Sequence, residues 1–185
     1  ICSGSIPASL SSSASATGCS SGTPTYQWQY STTSSNSGYT NAPGTSTSST
    51  YSPASLTQTT YYIRVATCSD GSVASTDPVT ITVKSAGTIS ASPSTWTAPT
   101  TTTFSSTGSS GGSWSSSNTS VATIDAASGV LTTQGAGTTT ITYTVLTGCT
   151  ATRLVTITNN SGILPVTWES VSAQKKNGQV FLQWS

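Results

Sequence analysis

Short runs in which apolar and polar residues alternate strictly recur along this chain. The clearest is Tyr26-Gln27-Trp28-Gln29-Tyr30, which places all three rings on one face. Tyr61 to Thr67 continues the pattern; it reads with Tyr61, Ile63 and Val65 inward and Tyr62 and Arg64 outward. Val79, Ile81 and Val83 alternate again, as do Ile141, Tyr143 and Val145. A period of two is the signature of a half-buried strand, and Thr, Val, Ile, Tyr and Trp fit a pleated surface. The 16 glycines and 8 prolines punctuate these runs. Many short strands between frequent turns, with a single tryptophan on an early strand, describe Greek-key β-sandwiches.

Three segments separate by pattern. Residues 1–84 form a first sandwich around Tyr26–Tyr30. Residues 85–158 form a second, opened by Ile89 and closed by Leu154, Val155 and Ile157, with strands expected at Thr101–Phe104, Val121–Asp125 and Val130–Thr132. Residues 159–185 begin with a polar hinge and continue as a β-hairpin around Asn177-Gly178, a strong two-residue turn signal. That turn sets Val171 opposite Trp184, Ala173 opposite Leu182 and Lys175 opposite Val180. The expected fold is therefore all-β: two tandem Ig-like Greek-key β-sandwiches plus a C-terminal β-hairpin arm.

Composition narrows the chemistry. The chain holds 39 serines and 39 threonines in 185 residues, but only five basic and four acidic residues and no histidine. Histidine base catalysis, a His-ligated zinc centre and an acidic calcium cage all lack their parts. The acids Asp70, Asp77, Asp125 and Glu169 are scattered, and Asp70-Gly71 reads as a turn, so paired-carboxylate catalysis is not suggested. We expect no enzyme and no cofactor. The net charge of +1 offers no footprint for nucleic acid, and no run of ~20 apolar residues would insert in a membrane. None of the cysteines, Cys2, Cys19, Cys68 and Cys149, forms a C-x-x-C pair. They read as disulfide candidates in an oxidising, extracellular setting. Asn118 and Asn159 stand in N-glycosylation acceptor patterns, and exposed Ser and Thr could carry O-linked sugars.

Three stretches resemble known families. The opening Ile1-Cys2-Ser3-Gly4-Ser5, TYQWQYS, and STYSPASLTQTTYYIRV (Ser49 to Val65) resemble Ig-like repeats of Bacteroidetes cell-surface proteins. WSSSNTSVATIDAASGVLTTQGAGTTTITYTV (Trp114 to Val145) resembles bacterial Ig-like group 2 domains. LPVTWESVSAQKKNGQVFLQWS (Leu164 to Ser185) resembles the start of a fibronectin-III-like unit typical of type IX secretion cargo. The resemblance implies export, display at the bacterial cell surface and no catalysis. It also implies a pairing of Cys2 with Cys68, leaving Cys19 and Cys149 to join between domains or between chains.

Among possible sites, Tyr26, Trp28 and Tyr30 read as core, with a sugar platform as the alternative. Trp96 and Trp114 share that ambiguity, and Trp96, in a Pro-flanked segment, is expected to be the more exposed. Arg64 reads as a solvated strand residue or the partner of an acid, and Lys175 and Lys176 as a hydrated hairpin tip. The arm carries Leu164, Val166, Trp168, Val180, Phe181, Leu182 and Trp184, too apolar to stand in water as an isolated hairpin. Two readings follow: a third domain that continues beyond Ser185, or donor strands completing a sheet of the next copy and so building a filament. The sequence thus points to a structural extracellular surface protein, a stalk or filament subunit joined head-to-tail through its arm. Its partners would be other copies of itself or neighbouring domains of a longer chain. A glycan-binding or adhesive accessory module, with surface glycans as partner, is the alternative.

Overall fold

A computed structural model describes residues 1–12, 19, 22–145, 148–159 and 171–184 of the chain. Every helix or strand it assigns among them is a strand. The first sandwich contains β1 (Leu10–Ser11), β2 (Thr25–Ser31), β3 (Thr40–Asn41), β4 (Thr50–Tyr51), β5 (Thr60–Thr67), β6 (Val73–Ser75) and β7 (Val79–Ile81). One sheet runs β3-β2-β5-β6, with β7 also paired to β5, and β1 and β4 form a second. Trp28 from β2 meets Tyr51 from β4 between them, the rings stacked with centroids 6.2 Å apart. Trp28 is buried, and its indole N–H donates to the Ser48 carbonyl at 3.0 Å. It is the core plug the alternating run predicts, not a platform open to solvent.

The register of β2 on β5 overturns the expected facing of β5. Tyr62 sits across from Tyr30, Arg64 from Trp28 and Ala66 from Tyr26. Residues directly opposite share a face, so these side chains turn toward the core side with Trp28. Thr60, Tyr62, Arg64 and Ala66 are accordingly buried, while Tyr61 and Val65 are only half-buried. The run Thr-Tyr-Tyr-Ile-Arg-Val-Ala-Thr is apolar on both faces, Ile63 being buried as well, so alternation within the strand does not choose between them. Arg64 is therefore not a solvated residue. Its guanidinium lies 3.8 Å from the centroid of the Tyr26 ring, and a cation over an aromatic face keeps favourable electrostatics when water is removed.

The second sandwich contains β8 (Ile89–Ser90), β9 (Trp96–Ala98), β10 (Thr101–Thr103), β11 (Ser105–Ser106), β12 (Ser113–Ser116), β13 (Ala122–Ile124), β14 (Val130–Thr133), β15 (Gly137–Thr144) and β16 (Thr150–Asn159). Sheet β12-β15-β16-β9 packs over β10-β14-β13 and the β8–β11 pair. Leu131, Ile141 and Val155 are fully buried at its centre. A chain of rings crosses the core: Trp96 to Phe104 at 5.6 Å, Phe104 to Trp114 at 6.2 Å and Trp114 to Tyr143 at 4.7 Å. Trp96 is thus among the most buried side chains, against the expectation of exposure. Its Pro-flanked segment is an edge strand, where proline is tolerated, paired in parallel to β16 with Trp96 opposite Ile157. That edge turns the indole inward onto Phe104. On β16, Val155 and Ile157 face the core and Leu154 faces out, 68% exposed.

The arm consists of β17 (Val171–Lys176) and β18 (Gln179–Trp184), a two-stranded antiparallel sheet. Its register is the one read from the turn: Val171 opposite Trp184, Ala173 opposite Leu182, Lys175 opposite Val180. Asn177 (φ 54°) and Gly178 (φ 81°) both take the left-handed conformation that a tight two-residue hairpin turn requires. Residues Leu164, Val166 and Trp168 lie outside the described residues, as does the side chain of Trp184.

Candidate functional site

The four cysteines form two disulfides, Cys2–Cys149 and Cys19–Cys68, each with a Cα–Cα separation of 5.5 Å. This corrects the Cys2–Cys68 pairing that the family resemblance implies. The reason lies in the course of the first five residues. The Ile1 ammonium donates to the Thr82 carbonyl at 2.9 Å, Lys84 N–H to Ile1 O at 2.9 Å, and Ser3 N–H to Lys84 O at 2.8 Å. The chain start therefore runs parallel to the last residues of the first sandwich, with Cys2 opposite Lys84. That places Cys2 at the boundary, where it packs against the core of the second sandwich. Cys149 comes from the turn between β15 and β16, held by Gly148 N–H on Val145 O at 2.8 Å and Val145 N–H on Cys149 O at 3.0 Å. The bond joins residues 147 positions apart and crosses from one sandwich to the other. Cys19–Cys68 stays within the first.

The connection between sandwiches, residues 85–88, is laced into the second. Ser109 N–H donates to Ser85 O at 2.7 Å, Ser85 N–H to Ser109 Oγ at 3.2 Å, and Thr88 N–H to Thr107 Oγ1 at 3.0 Å. The Ser106 hydroxyl donates to Ala86 O, and Tyr143 Oη donates to Ser109 O at 2.9 Å. This lacing needs two glycines. A Cβ on Gly108 would lie 2.3 Å from the Ala86 carbonyl carbon, and one on Gly87 would lie 2.1 Å from Gly108 N. The two backbones touch with no room for a side chain. Serine and threonine hydroxyls, abundant and uncharged, satisfy the main chain along this seam. An open cleft of about 350 Å³ borders the staple, lined by Cys2, Lys84 and Cys149 among others.

At the arm, Val180, Phe181 and Leu182 are 64%, 55% and 60% exposed; on β18 Val180 and Leu182 share one face and Phe181 lies on the other. Lys175 and Lys176 are exposed beside the turn. Asn118 is exposed, its Oδ1 accepting from Ser120 Oγ at 2.7 Å, and Asn159 is exposed at the end of β16. Asp70 Oδ1 accepts from Ser72 N–H at 2.9 Å, closing the predicted turn. Sequence reading missed the seam glycines and the cluster of Tyr30, Tyr51 and Tyr62. Those rings come from three strands, with Tyr62 centred 6.3 Å from Tyr30 and 5.8 Å from Tyr51.

The tyrosine cluster has a pH signature. Burial pushes the Tyr62 hydroxyl up from 10.0 to about 12, and the neighbouring Tyr51 and Tyr30 hydroxyls add to the effect. A raised folded-state value means that the folded chain holds a proton the unfolded chain releases. Stability is full below pH 10 and declines as pH rises toward 12. Thermal melts from pH 8 upward, with the 295 nm phenolate signal, should show melting temperature falling before Tyr62 ionises. The Tyr62→Phe chain should show a shallower fall.

Residues 1–85 match a family model described as Domain of unknown function (DUF8696), and residues 99–147 match that of the immunoglobulin-like domain of intimin. No curated protein matches the chain. Among solved structures, the chain is similar to the C-terminal 282-residue fragment of intimin in complex with the intimin-binding domain of the translocated intimin receptor. The identity is 20%, covering 74% of this chain and 52% of that one, with a TM-score of 0.49. It is also similar to Drosophila N-cadherin EC1-4, at 12% identity over 74% of this chain and 41% of that one, with a TM-score of 0.37. The chain thus spans about half the length of the intimin fragment. The class defined by the architecture is an all-β chain of tandem Ig-like sandwiches, with an intimin-type Ig-like match in the second.

Proposed function

We propose that this chain is a rigid stalk segment of an extracellular bacterial surface protein, of adhesin type, whose hairpin arm joins it head-to-tail to the next unit. The observation that carries the stalk reading is the Cys2–Cys149 bond, which ties the start of the first sandwich to a loop of the second. Two small sandwiches joined by one strand would swing about it. A covalent tie together with a hydrogen-bonded seam removes that freedom. Disulfides fit an oxidising compartment, and the match of residues 99–147 to the Ig-like domain of intimin fits surface display. The resemblances to Bacteroidetes surface repeats, to group 2 Ig-like domains and to fibronectin-III-like units agree with export. The role is structural and non-catalytic. Small-angle scattering tests the stalk: the oxidised chain should scatter as one elongated rigid particle, and the Cys2→Ser, Cys149→Ser chain as two units on a hinge. If the two profiles coincide, the staple does not set the shape.

Among the described residues the two-stranded arm pairs with no other strand, and this together with its exposed Val180, Phe181 and Leu182 favours the joining role. Strand addition would pair the arm with a sheet and cover those side chains, each worth roughly 1.5–3 kcal/mol when fully buried. A chain ending at Thr158 should keep the melting behaviour of both sandwiches and sediment as a monomer, while the full chain associates. Association that persists without residues 159–185 would remove the arm from the joint.

A further inference from the structure

Among the described residues, the first sandwich has the smaller buried core. It consists of Trp28, Ala42, Tyr51 and Tyr62, with Leu10 and Ile81 only partly buried against it. There β7 pairs only with β5, and β1 only with β4. Between these two sheet edges opens a groove of about 480 Å³, lined by Ile1, Pro7, Ala8, Leu10, Thr80 and Ile81 among others, and by no charged side chain. On β7, Val79 lies opposite Tyr62 and Ile81 opposite Thr60, so both side chains turn toward the core side. Val79 is nonetheless 46% exposed. One flank of the first core is thus left uncovered.

The arm has the complementary deficit. Val180 and Leu182 stand on one face of β18 with nothing packed over them. Two positions apart on a strand sets them roughly 7 Å from each other, the same pitch as Val79 and Ile81 on β7. The charges are also complementary. Residues 171–184 hold Lys175 and Lys176 and no acid, a charge of +2, while residues 69–82 hold Asp70 and Asp77 and no base, a charge of −2. Asp77 is exposed and lies two residues before Val79. The course of β16 points the arm away from its own first sandwich. That strand starts beside Cys149, at the boundary, and runs ten residues to Asn159, roughly 30 Å.

We propose that the groove between β1 and β7 receives the arm of a second copy of this chain. Val180 and Leu182 lie against Val79, Ile81 and Leu10, and the lysines of the hairpin tip are held by the acidic edge that carries Asp77. Both groove walls are sheet edges, so a strand laid between them finds main-chain donors and acceptors as well as apolar surface. Opposite charges steer the encounter, and the apolar face supplies the hold. This inference rests on the joining role proposed above and names its acceptor.

Sedimentation velocity of the full oxidised chain at low salt tests it. The chain should associate, and added salt should weaken the association by screening. Thr80→Arg and Ala8→Arg, both at exposed groove positions, should each weaken it roughly 10-fold or more without lowering the melting temperature. Asp77→Lys should weaken it roughly 2- to 5-fold, and adding Lys175→Glu with Lys176→Glu should recover that loss. Association abolished by Val180→Ser with Leu182→Ser, but untouched by the groove variants, would overturn this acceptor and leave the joining role standing. Association that survives the arm variant too, or a full chain that stays monomeric, would remove the joining role as well. Cross-linking of mixed isotope-labelled and unlabelled chains should join arm and groove peptides of different copies. Links found only within single copies would assign the groove to the chain's own arm and overturn the proposal.

Discussion

A Cys149→Ser chain is expected to lose up to about 5 kcal/mol of stability, the entropy of closing a loop of this length. It should also change the form of its unfolding. The bond spans 147 residues, and Cys149 is buried in the core of the second sandwich. Without it, residues 1–5 keep their hydrogen bonds to residues 56 and 82–84 but no longer hold the second domain. In urea, the oxidised chain should unfold in one cooperative transition and the Cys149→Ser chain in two. Cys68→Ser provides the contrast. It opens a loop of 49 residues inside the first sandwich, so it should cost about 4 kcal/mol there and leave the second transition in place.

Gly108→Val is expected to cost about 3 kcal/mol or more, because the clash it creates is backbone against backbone. The added Cβ would meet Ala86 C at 2.3 Å and Ser85 O at 2.4 Å, and no rotamer change relieves either contact. Residues 85–87 would be pushed off the seam, stretching the Ser109-to-Ser85 and Ser106-to-Ala86 hydrogen bonds together. Gly111, exposed with open space around its Cβ position, is the control for added volume, although its φ of +78° carries its own strain. Urea denaturation of Gly108→Val should show a destabilised second sandwich. Amide exchange should be fastest at residues 106–109.

Much of the architecture was legible from patterns that act locally. The Tyr26–Tyr30 alternation lies on β2, the Asn177-Gly178 pair sets the arm's register, and the apolar positions Ile141 and Tyr143 face the second core. What escaped depends on partners distant in sequence. The facing of β5 is chosen by β2, since Thr60 to Thr67 is apolar on both sides. Four cysteines allow three connectivities, and the observed one follows from residues 1–5 running beside residues 82–84, which no spacing reveals. Trp96 is buried because its proline-flanked strand docks in parallel on β16. The seam glycines look like any other turn glycines until their neighbours are placed. The cluster of Tyr30, Tyr51 and Tyr62 gathers rings from three strands and so has no signature in any one stretch.

The account rests on a covalent tie between the two sandwiches, and peptide mapping of the oxidised chain without reductant tests it directly. The predicted result is one linked pair joining the peptide of Cys2 to that of Cys149 and another joining Cys19 to Cys68, both within single chains. A Cys2–Cys68 link, or Cys149 recovered as a free thiol, would contradict it.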